Sequence, residues 1–154
     1  MGSRKPEESF ARSGKKGSSI DPGGPMLNCI DSDFAIAILK GDPKAKELLS
    51  KLESMGEIFI TSISVFEMTY TTRGLSVKRK RALENFLDTL TVLPLDKDSA
   101  LVAGDMGDQL VKKGEMIHPM DLLIGAVALE NEMLLVTNSK KHFSRIRGLK
   151  TVGW

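Results

Sequence analysis

Downstream of residue 25 the apolar positions fall into two recurring patterns. Short, nearly continuous apolar runs appear at MLNCI (26–30), EIFITS (57–62), TVLPLD (91–96) and MLLVTN (133–138), with a last one near 149–152. Their length and their content of β-branched residues predict strands. Pro94 makes the third of them short or an edge strand, because proline donates nothing to a ladder. Between these runs the apolar spacing changes to i, i+3/i+4, i+7, which predicts helices over 33–41, 43–56, 64–74, 76–90, 99–114 and 119–132 and a short helix from 139. Gly41, Gly74 and Gly114 stand at helix ends, Pro43 and Pro119 at helix starts, where each is favoured.

Strands that alternate with helices predict an α/β fold, a parallel sheet covered on both faces. No internal repeat is visible. In sheets of this kind ligands collect at the carboxyl ends of the strands, so the polar residues that close each apolar run become the first candidates for chemistry.

Composition narrows the classes. Residues 1–25 are rich in Gly, Ser, Lys and Pro and end in DPGGP. They are expected to form a disordered leader. Met26 is the expected natural start, which makes the leader a cloning remnant or a mis-assigned extension. Residues 26–154 suit one domain with one core. The formal charge of +2 arises in the leader, which holds five Lys/Arg and three acids; the rest of the chain carries equal numbers of each. Charge therefore decides nothing about partners. No apolar run approaches the roughly 20 residues of a membrane helix, and no secretory h-region opens the chain. The lone Cys29 excludes an intrachain disulfide and suits a reducing cytoplasm. One Cys and two His are too few for a Cys/His zinc site. A metal would sit on carboxylates, which favours Mg2+ or Mn2+.

Three acids stand out. Asp31 ends the first strand and precedes a helix, the position of a ligand-binding acid and equally of a helix N-cap. Glu67 lies among Ile63, Val65, Phe66, Met68 and Tyr70, in a helix expected to be mostly buried. A bare carboxylate there is costly unless it is functional, partly exposed or paired with Arg73. Asp121 occupies the first turn of an apolar helix, where the helix dipole alone would favour it. Thr137, Asn138 and Ser139 close the fourth strand with groups that serve carboxylates, phosphate or an ordinary turn. Acids gathered on one sheet edge repel one another, and a cation that neutralises them can also activate water against a phosphodiester.

At this point the residues resemble a known family. CIDSDFAIAILKGD (29–42) resembles the opening of PIN domains, TSISVFEMTY (61–70) their second motif, and 117–154 the last third of VapC-type toxins. The resemblance implies a PIN-like three-layer α/β/α sandwich with a central parallel sheet. It also implies an Mg2+- or Mn2+-dependent endoribonuclease, the toxin of a toxin–antitoxin pair, with RNA as substrate, a cognate antitoxin and a homodimer as partners, and a cytoplasmic location. By position Asp31 and Asp121 match the metal-binding acids and Glu67 the second acid. Ser32, Thr137, Asn138 and Ser139 match the polar surround. Many PIN domains carry a further acid where SKKH (139–142) stands here. A three-carboxylate site with one firmly held metal is therefore expected, with His142 an ordinary surface residue beside a buried Phe143.

Lys140, Lys141, Arg145 and Arg147, and the KRKR run at 78–81, are candidates to grip an RNA backbone, against a solvated helix face for the run. A basic leader arm on RNA is the functional alternative for residues 1–25. Two other readings stand beside the nuclease. The D-S-D at 31–33 resembles the opening motif of haloacid-dehalogenase-type phosphatases, although Ala35 departs from it. A PIN-like interaction module without chemistry would explain the missing fourth acid.

Overall fold

The computed structural model describes residues 27–70 and 72–154. The expectations for residues 1–25 lie outside the described residues. Five strands form one all-parallel sheet: β1 (Asn28–Ile30), β2 (Ile58–Thr61), β3 (Thr91–Leu93), β4 (Leu134–Val136) and β5 (Lys150–Val152), in the order β3-β2-β1-β4-β5. Helices α1 (Ser32–Lys40) and α2 (Pro43–Met55) link β1 to β2. Then α3 (Ser62–Tyr70) and α4 (Val77–Leu87) link β2 to β3, α5 (Lys97–Lys113) and α6 (Pro119–Glu130) link β3 to β4, and α7 (Lys140–Phe143) leads into β5. The expected α/β sandwich is present, and β3, with Pro94 just beyond it, is an edge strand.

Strand periodicity builds the two cores. Cys29 pairs in register with Phe59 and Leu135, and all three join one apolar cluster with Ile124, Val127, Phe143 and Ile146. The next residues along, Ile30, Ile60 and Val136, also pair and point to the opposite cluster with Phe34, Ile38, Leu52 and Met68. One layer is thus α6 and α7, the other α1 to α4. Successive strand residues face opposite ways, so a strand of three residues serves both. Gly125 lets α6 approach the α7 end closely, since a Cβ there would collide with Ile146.

The strands are shorter than their apolar runs. Asp31 and Thr61 end strands because the helices begin at once: Asp31 caps α1, and Thr61 Oγ1 accepts the Ser64 N–H at 3.0 Å. Helix α3 also departs from expectation. It buries Ile63, Ser64 and Met68, yet Phe66 is 48% and Tyr70 66% exposed, their rings stacked at 5.4 Å. The apolar residues run all round this helix and only one face meets the core. Among the described residues no helix is long and apolar enough to cross a membrane.

Candidate active site

Strand order reverses its direction of growth between β1 and β4, with β2 and β3 laid on one side and β5 on the other. This switch point opens a crevice at the carboxyl ends of the strands. Asp31 stands there, after β1, and is 4% exposed. Its backbone N–H donates to Val136 O at 3.0 Å, which keeps it in the line of the sheet. Its carboxylate accepts the Ser32 N–H on Oδ1 at 2.7 Å and the Thr137 hydroxyl on Oδ2 at 3.0 Å. The N-cap role and the crevice position are both real: one oxygen serves the helix, the other the end of β4.

Glu67 approaches from α3. The Ser32 hydroxyl donates to its Oε2 at 2.8 Å, so Ser32 links the first two acids. Arg73 is exposed and forms no ion pair of the described set. Asp121 enters from the first turn of α6 and meets His142 on α7, with Nδ1 and Oδ2 at 2.8 Å. Both lie at the rim, with side chains 49% (His142) and 19% (Asp121) exposed. For His142 the sequence offers an ordinary surface residue or a contact to phosphate. Phe143 is indeed buried beside it, but His142 partners Asp121. The signal was spatial only, since 21 residues separate the two.

Asp33, the second acid of D-S-D, stands beside Asp31 in the first turn of α1. Its Oδ2 accepts the Asn138 N–H at 3.3 Å, which ties the first turn of α1 to the end of β4. The charge of Asp33 acts on Asp31, and that of Asp121 acts on Asp33. Burial pushes the Asp31 carboxyl up to about 7; the Asp33 and Glu67 charges add to this, against hydrogen bonds from Ser32 and Thr137. Burial raises Asp33 as well. Beneath them burial, helped by Asp31, pushes the Cys29 thiol up to about 12, which leaves it a packed, inert residue.

Among the polar surround, Ser139 donates its N–H to Thr137 Oγ1 at 3.0 Å, turn chemistry that also orients the hydroxyl toward Asp31. Asn138 Oδ1 accepts the Trp154 N–H at 3.1 Å, and the Trp154 ring meets Phe34 edge-on at 4.8 Å. The tail therefore clamps the strand end that holds Asp33. Of the candidate RNA-gripping residues, Lys140, Lys141 and Arg147 are exposed, whereas Arg145 is half-buried and donates Nη1 to Met116 O at 2.7 Å. The 78–81 run is exposed on α4.

In these side-chain positions no three His, Cys, Asp or Glu of the described residues converge tightly enough to grip one ion. Each acid is held by its own donor. The charged donors of the site still fit a hard divalent cation, because they are carboxylate oxygens whose like charges act on one another.

The PIN-domain family profile matches residues 29–149. The chain belongs to the PIN-domain family. It is 29% identical to Ribonuclease VapC2 of Haemophilus influenzae over 128 residues, 81% of this chain and 96% of that protein. It is 25% identical to the tRNA(fMet)-specific endonuclease VapC of Shigella flexneri, with the same coverage. The structure superposes on VapBC2 of Rickettsia felis bound to a promoter DNA fragment with a TM-score of 0.78 and 26% identity, over 84% of this chain and 99% of that one. PIN-family membership replaces the phosphatase reading of D-S-D.

Proposed function

We infer that the protein is a VapC-type endoribonuclease that hydrolyses RNA phosphodiesters as the toxin of a toxin–antitoxin pair. The observation that supports the site assignment is the hydrogen-bonded link Asp31–Ser32–Glu67 at the carboxyl end of β1, beside the switch point between β1 and β4. Kinship to ribonucleases supports the reaction, and kinship to VapBC complexes supports an antitoxin partner. The exposed Phe66–Tyr70 face of α3 gives a protein partner an apolar surface, whether antitoxin or second copy. A reducing cytoplasm suits the free, buried Cys29.

Asp31 and Asp121 would hold Mg2+ or Mn2+, with Glu67 beside them. Such an ion, when bound, neutralises the phosphodiester and acidifies the attacking water. The chain's own residues do the rest. Thr137 and the Ser32 N–H fix the Asp31 carboxylate, and the Ser32 hydroxyl fixes Glu67, which orients the water or accepts its proton. Asp121, which contacts His142 at the rim, would contribute its carboxylate to the ion from α6. Lys140, Lys141 and Arg147 flank the crevice on and after α7 and attract the RNA backbone, an attraction that salt weakens.

Incubation of the full chain with total RNA and Mg2+ or Mn2+, beside a chelated control, tests this. Defined RNA ends should appear only where the metal is free. Equal cleavage in chelator would overturn the metal assignment, and no cleavage under any metal would overturn the nuclease reading.

A further inference from the structure

Of the basic residues after β4, Arg145 is half-buried where Lys140, Lys141 and Arg147 are exposed. It stands between buried Phe143 and Ile146. Ile146 is seated on α6, so closely that a Cβ on Gly125 would lie 2.3 Å from its Cδ1. From this seat Arg145 reaches across the rim, and its Nη1 donates to Met116 O at 2.7 Å. Met116 belongs to the connection between α5 and α6. On one side of it the Glu115 N–H closes α5 on Leu110 O at 2.9 Å. On the other His118 caps α6, its Nδ1 accepting the Met120 N–H at 3.3 Å. Among the described residues the bond from Arg145 is the one hydrogen bond made to Met116 and Ile117.

That connection leads straight into the first turn of α6, which carries Asp121. The buried part of α6 starts only at Ile124, so this turn stands outside the core. Exposed helix ends open readily unless their entry is held, and Pro119 has no N–H with which to hold it. The His118 bond is long. A guanidinium on a carbonyl is a charge-assisted bond, and here its stem rises from packed neighbours. Two other uses of Arg145 compete with this one. The C-terminus of α5 welcomes a cation, but Lys112 and Lys113 already lie in its last turn. An RNA backbone welcomes one too, but this guanidinium is committed to Met116.

We propose that Arg145 is a positioning residue of the nuclease: it fixes the α5–α6 connection and so sets where α6 presents Asp121. This rests on the reading of Asp121 as a member of the site. The side chain of Asp121 stays free to change partners, while the backbone that carries it is held in place.

The test is steady-state cleavage of one mapped RNA by the full chain and its Arg145→Ala, Asp121→Asn and doubly substituted variants, with amide hydrogen exchange beside it. Arg145→Ala should lower kcat about tenfold or more, with KM within about twofold of wild type and the same salt dependence. Amides of residues 115–122 should exchange faster, while those of β1 and β4 keep their protection. On the Asp121→Asn background Arg145→Ala should cost less than about a further twofold, because it acts through Asp121. A raised KM with wild-type kcat and a shallower salt dependence makes Arg145 an RNA contact and overturns the proposal. Unchanged kinetics overturn it as well, and so does a full loss repeated on the Asp121→Asn background. Should Arg145→Ala not fold, Arg145→Gln, which keeps part of the stem and an N–H donor, should show the same split to a smaller degree. Failure of both to fold assigns Arg145 to overall stability and overturns the proposal. Wild-type cleavage by Asp121→Asn overturns the site reading and this proposal with it, whereas wild-type cleavage by Arg145→Ala beside an inactive Asp121→Asn overturns the proposal alone.

Discussion

Asp31 and Asp121 bring the same charge to the same crevice from opposite surroundings. Asp31 lies on the floor, almost wholly buried, with one oxygen on a backbone N–H and the other on the hydroxyl of Thr137. Asp121 lies at the rim, its carboxylate against a half-exposed His142 on the short helix α7. The floor acid is held by two donors, one at the start of α1 and one at the end of β4. The rim acid is held by one side chain, which can release it. Under the proposed function, the floor acid would be fixed before anything binds and the rim acid would be the one free to change partners.

The contrast can be broken in several places. The largest effect on the metal-free protein should come from the charge of Asp31. Its folded-state value of about 7 lies above the roughly 3.9 of an unfolded aspartate. Between those values the native chain holds a proton that the unfolded chain lacks. The penalty of ionised Asp31 is therefore full above pH 7 and fades as pH falls toward 4. In chelator the protein should gain stability from pH 8 to pH 5, on the order of 2–4 kcal/mol from this group. Asp31→Asn should flatten that slope. Denaturant melts at the two pH values measure it, and an equal slope in the variant would place the strain elsewhere.

A smaller effect should follow from Thr137→Val, which takes the donor from Asp31 Oδ2 and leaves the shape of the site. The loss of a buried partner costs about 1–3 kcal/mol, and a misoriented ligand lowers metal affinity roughly 10- to 100-fold. Unchanged Mn2+ affinity in this variant would show that the floor is not held by Thr137. The smallest effect should come at the rim. His142→Ala should change stability by no more than about 0.5 kcal/mol and RNA cleavage by less than tenfold. A collapse of activity there would make the rim as rigid as the floor.

Sequence pattern revealed the rigid half better than the mobile half. Asp31 and Thr137 end apolar runs that are strands, and strand ends have a definite place in a parallel sheet. Asp121 was visible because a proline and an apolar helix mark where its element starts. Glu67 was visible as an acid among apolar residues, although the exposure of Phe66 and Tyr70 shows that its helix is less buried than that pattern suggests. The pairing of His142 with Asp121 and the tether of Asp33 to the Asn138 N–H were not legible. Both depend on how α7 and α1 lean over the strand ends, a tertiary matter that no local spacing encodes. The basic residues after β4 show the same limit. Four looked alike in sequence, yet Arg145 is bound to the Met116 carbonyl and the other three are exposed.

The central claim is that floor and rim acids act on one scissile phosphodiester. Its most direct test is the cleavage rate of one mapped RNA by wild type, Asp31→Asn and Asp121→Asn, each shown to be folded by circular dichroism and supplied with saturating Mn2+. Both variants should cut at least about 100-fold more slowly than wild type, within the range expected for loss of a group that acts in the chemical step. Wild-type cleavage by either variant would contradict the account.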